Sequence, residues 1–125
     1  MRGKIVKSFA LFLLTIMCTV FCFACADASE AFVVEGEPTF TCVYNEETNV
    51  YDVAIDGLAK NQGKKEWSSV CLTYALYDEN GYMVGIAQAY ITYVGAQGTW
   101  RFSATGTADY PTISVELIEI GGYEK

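Results

Sequence analysis

The stretch from Val70 to Phe102, VCLTYALYDENGYMVGIAQAYITYVGAQGTWRF, confines this chain to antiparallel β-structure. Two long apolar runs rich in Tyr, Val, Ile and Thr are split by Asp78-Glu79-Asn80-Gly81, whose Asn-Gly step tolerates the positive φ that a tight reversal needs. A third run, Thr99 to Ala104, follows Gly95-Ala96-Gln97-Gly98, so three consecutive antiparallel strands are expected here. Along the first of them Val70, Leu72, Tyr74 and Leu76 share one face, predicted to point into a core, and Trp67, Ser69, Cys71, Thr73, Ala75 and Tyr77 share the other. Tyr82 to Val94 is apolar on both parities, which predicts a strand central in its sheet or bulged near Gly85.

The flanks repeat the period of two. Phe40, Cys42 and Tyr44 alternate with Thr41 and Val43, Asn45 to Asn49 supplies a turn, and Tyr51, Val53 and Ile55 alternate with Asp52, Ala54 and Asp56. Trp100 and Phe102 share a face in a later strand, and Ile113, Val115 and Leu117 alternate with Ser114 and Glu116 in the last. Short alternating runs with regular turn signals predict an all-β, two-sheet antiparallel sandwich of about six or seven strands over residues 39–125. Before it, residues 27–38 hold Asp27, Glu30, Glu35 and Glu37 around a short apolar island. They read as an acidic tether, with Phe32 to Val34 able to pair on a sheet edge.

Residues 1–26 read as a secretory signal peptide: Arg2, Lys4 and Lys7 precede an uncharged apolar block from Phe9 to Phe23, followed by small residues at Ala24, Ala26 and Ala28. The block falls short of the roughly 20 apolar residues a membrane-spanning helix requires. Two processing routes fit. Ala24-Cys25-Ala26 suits an ordinary signal peptidase, with cleavage before Asp27; Cys22-Phe23-Ala24-Cys25 is a degenerate lipobox, in which Cys25 is the candidate for lipidation. The expected location is outside the cytoplasm, secreted or held at the cell envelope, with membrane contact only through a lipid on Cys25.

Three of the eight basic residues precede Asp27, which leaves five against 15 acidic ones, net −10. That balance argues against nucleic acid and anionic lipid surfaces as partners. The same division leaves two cysteines beyond the leader, Cys42 and Cys71, an even remainder that in an oxidising compartment is a disulfide candidate. Since Cys71 has the parity opposite to the core face, a bridge is expected only between neighbouring strands; two unpaired thiols are the alternative. With no histidine in the chain and no Cys-x-x-Cys, a zinc site is not expected.

The run Tyr74-Ala75-Leu76-Tyr77-Asp78, with Gly81 and Val84 after it, resembles the signature of the FxLYD domain family, with Tyr74 where that family usually carries Phe. Upstream, Gly57 to Asn61 is similar to the family's Gly-x-x-x-Asn segment, and Gly98 and Phe102 match its closing glycine and aromatic. The resemblance implies a small immunoglobulin-like β-sandwich of the kind found in exported proteins and lipoproteins of bacteria and archaea. It brings no catalytic residues. Tyr74, Leu76, Tyr77, Asp78 and Gly81 accordingly read as structural, the first two filling the core and Asp78 and Gly81 shaping the turn.

No general base of the histidine type, nucleophile elbow, phosphate loop or calcium loop is present in the sequence. Glu46 with Glu47 and Asp78 with Glu79 are the nearest paired carboxylates, and all four sit at predicted turn tips, where solvated acids rarely do catalysis. No enzyme activity, cofactor or metal is expected. What remains is a candidate binding surface of Trp67, Tyr77, Tyr82, Tyr90 and Tyr93, with Tyr123 beside them. A flat strip of Trp67, Tyr77 and Tyr93 would suit a cell-wall glycan, whereas an apolar patch around Tyr82 and Tyr90 would suit another envelope or extracellular protein, the partner expected first.

Overall fold

A computed structural model describes residues 26–124; the predicted leader up to Cys25 lies outside the described residues. Seven strands follow in chain order: β1 (Ala26–Asp27), β2 (Phe32–Asn45), β3 (Val50–Asn61), β4 (Trp67–Tyr77), β5 (Met83–Ile91), β6 (Thr99–Ala108) and β7 (Ser114–Glu124). All pairings are antiparallel and the spatial order is β1-β7-β4-β5-β6-β3-β2. The all-β class predicted from the alternation is what forms. Hydrogen bonding runs unbroken through all seven strands, so the two layers are halves of one curled sheet rather than separate sheets.

The curl is made where β5 meets β6. Their ladder covers only Gly85–Gln88 against Thr105–Ala108, and beyond it the strands part. At this corner the backbones approach so closely that a Cβ on Gly106 would collide with the Ile86 carbonyl, and one on Gly85 with the Thr107 carbonyl. The parted ends carry the layers over one another, and Tyr74 of β4 stacks on Phe102 of β6 with ring centroids 6.0 Å apart. Trp100 meets Phe102 edge-on at 5.9 Å. Between the layers lie Val70, Leu72, Tyr74 and Leu76 from β4, facing Val53 and Ile55 from β3 and Phe102 and Ala104 from β6, all buried.

Bulges account for several departures from simple parity. β5 lies between β4 and β6, and its register against β4 shifts at Val84, beside Gly85, so both alternatives read from the doubly apolar run are realised together. On β4 a bulge between Trp67 and Ser69 rotates Trp67 out of the alternation. Predicted to face away from the core, Trp67 is instead buried, with its ring edge-on to Phe32 at 5.9 Å. Thr73 and Ala75 keep the outward parity yet are also buried, because β5 and β7 flank them on both sides; Gln88 Nε2 donates to Thr73 Oγ1 at 3.2 Å.

The acidic stretch 27–38 is not a tether. β1 pairs with Gly121 and Gly122, Ala28 is fully buried, and Phe32 to Glu35 pair with Asn61 to Leu58 along the sheet edge. Only at Gly36, with φ +67°, and Pro38 does the edge lose register, resuming at Thr39. The sheet therefore begins well before residue 39. Cys42 and Cys71 are unbonded. Three strands separate β2 from β4 in the sheet, Cys42 packs against the core, and Cys71 points the other way, so neither the neighbouring-strand bridge nor a bridge across the core can form.

Candidate functional site

Two turns and a loop share one end of the sandwich. The β4–β5 turn, the β2–β3 turn and the β6–β7 loop come together there because Tyr77 pairs with Met83, Asn45 with Val50, and Tyr51 with Ala108. The β4–β5 connection is a three-residue loop in which Gly81 N–H donates to Asp78 O at 3.1 Å and Asp78 N–H to Tyr82 O at 2.9 Å. Positive φ falls on Gly81 alone, at +81°, so the reversal is a type I turn followed by a left-handed glycine, not the two-residue Asn-Gly turn. Asp78 Oδ1 accepts from the Asn80 and Tyr82 N–H groups, both at 2.9 Å. Its carboxylate clamps the turn.

The β6–β7 loop, Asp109 to Ile113, is fastened against this hairpin. Asp109 N–H donates to Val84 O at 3.3 Å, Ile113 N–H to Tyr77 O at 2.8 Å, and Thr112 N–H to Cys42 Sγ at 3.4 Å. Between loop and hairpin lies an open groove of about 930 Å³ with Val84, Gly85 and Ile86 along its β5 side and Tyr110, Pro111 and Ile113 along the other. Its side chains are unusually bare for apolar residues: Tyr82 is 68% exposed, Tyr110 63%, Ile113 59%, Met83 55% and Ile86 43%. Single exposed apolar residues are ordinary; five around one groove form a patch. Asp78, Glu79 and Asp109 complete the rim.

The sequence-predicted aromatics separate into different places. Tyr82 joins the groove. Tyr90 stands exposed on the outer face of the same strand, its hydroxyl donating to Gln88 Oε1 at 3.0 Å, and it does not line the groove. The Cys71 thiol beside it raises the Tyr90 phenol pKa, chiefly through a hydrogen bond. Tyr93 lies near the opposite end, donating to Glu66 Oε1 at 3.1 Å, and that bond likewise raises its pKa. Trp67 and Tyr77 mark the two ends of β4, roughly 33 Å apart at the usual rise per residue. With Trp67 buried, the strip of Trp67, Tyr77 and Tyr93 does not exist. Tyr123, at the end of β7, is exposed away from the groove.

Tyr110 was missed by pattern reading, because an aromatic residue beside a proline in a loop gives no periodic signal, and Ile113, read as the first alternating residue of the last strand, lies instead exposed in the loop before β7. Asn61, which closes the Gly-x-x-x-Asn segment in the sequence, has a role there that its side-chain contacts define. Fully buried, it donates from Nδ2 to Lys65 O at 2.8 Å and Gly95 O at 3.1 Å, and accepts at Oδ1 from Gly63 N–H at 3.0 Å. It holds together the loops at the end opposite the groove. The paired carboxylates remain at turn tips: Glu46, Glu47 and Glu79 are exposed, and Asp78 is committed to its turn. Cys25 lies outside the described residues.

No protein-family model matches the chain, and no curated protein matches it in sequence. Among solved structures the chain is similar to IrmA from Escherichia coli, with a TM-score of 0.43 and 12% identity over 71% of this chain and 79% of that one. It is also similar to part of DesR, a β-glucosidase from Streptomyces venezuelae solved with D-glucose, with a TM-score of 0.33 and 18% identity over 59% of this chain and 9% of that one.

Proposed function

We propose that this protein is a non-enzymatic module of the cell envelope or extracellular space that works by binding another protein. The observation that carries the proposal is the groove: a patch of five bare apolar side chains held between a clamped turn and a loop fastened by three backbone donors. Such a surface is preformed, so binding does not first have to order it. Export is supported by the basic-then-apolar leader read in the sequence. Membership of the FxLYD family is supported by its motif residues taking up structural positions: Tyr74 and Leu76 in the core, Asp78 and Gly81 in the turn, Asn61 buried. The glycan alternative loses its flat strip with the burial of Trp67.

The test sets pull-down from envelope extracts beside sedimentation with purified cell wall, using the chain from Asp27. Retention of a protein partner, lost when Tyr110 and Ile113 are both changed to Ser, is the expected result. Hydrolysis of cell-wall material, abolished in Asp78→Asn or Glu46→Gln with the fold intact, would replace this reading with an enzyme. Location is checked by Cys25→Ser: unchanged secretion is expected of ordinary cleavage, and accumulation of precursor identifies the lipoprotein.

A further inference from the structure

Among the described residues the basic charge is gathered at one end of the long axis, and the groove end is acidic without it. At the groove end the turns and adjoining strand carry Glu46, Glu47, Asp52, Asp78, Glu79 and Asp109. Among the described residues the basic side chains are Lys60, Lys64, Lys65 and Arg101, and all four belong to the other end: Lys60 pairs with Thr99 at the start of β6, Arg101 with Leu58, and Lys64 and Lys65 lie in the β3–β4 loop. Lys65 is further held there by an ion pair to Glu124 at 3.4 Å. A cluster of acids by itself marks no site. Here, however, the unbalanced end coincides with the one place where a pinned loop leaves Tyr82, Met83, Ile86, Tyr110 and Ile113 bare around a groove.

We propose that the groove takes a basic, apolar-bearing segment of a partner protein: a stretch with one or two large aliphatic or aromatic side chains, flanked by Lys or Arg. The inference rests on the binding-module reading and adds the chemistry of the ligand. Apolar side chains entering the groove cover surface that the fold leaves in water. Cationic groups on either side meet Glu79 and Asp109 on the rim and, beyond them, the field of Glu46, Glu47 and Asp52. An acidic segment is repelled by the same charges, so the rim selects as well as attracts. Asp78 contributes field, but its Oδ1 is already occupied by two backbone donors, which leaves Glu79 and Asp109 as the contacts of choice.

The experiment uses fluorescein-labelled 12-residue peptides and the chain from Asp27, read by anisotropy at about 0.05 M and about 0.5 M salt. One peptide mixes Lys and Arg with Leu and Trp; a second replaces every base by Glu; a third keeps the bases and replaces the apolar residues by Gly and Ser. Binding of the first alone is expected, weakened at least tenfold at high salt. Tyr110→Ser with Ile113→Ser should weaken it about tenfold, and Glu79→Lys with Asp109→Lys should abolish it and admit the acidic peptide. Glu35→Lys with Glu37→Lys on the β2 edge makes the same change of net charge far from the groove and should cost less than twofold.

Equal loss in the β2-edge variant, or binding of the apolar-free peptide as tightly as the first, would overturn the inference in favour of general electrostatic attraction. So would failure of any peptide to bind the folded chain. An envelope protein captured equally by wild type and by the Tyr110→Ser, Ile113→Ser variant would overturn the groove while leaving the binding module standing. Groove-dependent peptide binding with no captured protein would support the groove and count against the module.

Discussion

Tyr74→Phe should make this protein more stable. Tyr74 is 2% exposed, its ring stacks on Phe102, and its hydroxyl is buried with no hydrogen-bond partner among the described residues. A buried hydroxyl without a partner costs about 1–3 kcal/mol relative to its solvated state. Removing it leaves the stacked ring in place and opens a void of one oxygen, smaller than a methylene, worth at most about 1 kcal/mol. The balance favours Phe by about 1 kcal/mol, which in a domain of this size raises Tm by about 4–8 °C. Urea unfolding reads it as a higher midpoint with unchanged slope. A loss of 1 kcal/mol or more would show instead that the hydroxyl is satisfied in solution.

The same residue makes a second arm of that experiment. Burial pushes the Tyr74 pKa from 10.0 up to about 12. The folded state thus favours the protonated phenol: its contribution is fully present below pH 10, where both states are protonated, and is lost as pH rises towards the folded pKa. Between about pH 10 and 12 the wild type should lose about 1.4 kcal/mol per pH unit more than Tyr74→Phe does. Parallel curves for the two proteins would remove burial as the cause.

Asn61→Ala should destabilise by about 1–3 kcal/mol, since it strands two carbonyls and one N–H in part-buried surroundings, and thermal unfolding measures it. Gly106→Ala should cost about 3 kcal/mol by driving β5 and β6 apart at the corner of the sheet, to be read from the urea midpoint beside the solvent-facing control Thr105→Ala. Cys42 and Cys71 should both take up alkylating reagent in denaturant without prior reduction, and intact mass shows two adducts; their absence would restore the disulfide.

The class of the fold was legible because period-two alternation is a local property of a strand, set by side chains that point to opposite sides of the backbone. Val70, Leu72, Tyr74 and Leu76 lie on the buried face for that reason, and the Asp78–Gly81 reversal was readable because few residues accept a left-handed turn position. The bulge beside Gly85 showed as a run apolar on both parities, but the one between Trp67 and Ser69 left no such trace, since one extra residue there looks like any other in the string. Trp67 therefore went to the wrong face, and the aromatic strip built on it went too. The stretch 27–38 looked like a tether because its acids suit solvent. Only the partnership with β3 and β7 makes it part of the sheet. Cysteine parity argued against a bridge through the core, while spatial strand order, which no local pattern encodes, sets Cys42 and Cys71 on strands that are not neighbours. The groove belongs wholly to tertiary structure. Tyr82 and Met83 are 27 or more residues from Tyr110 and Ile113 in sequence, and they share one surface only because backbone bonds from a nonperiodic loop fasten it against the hairpin.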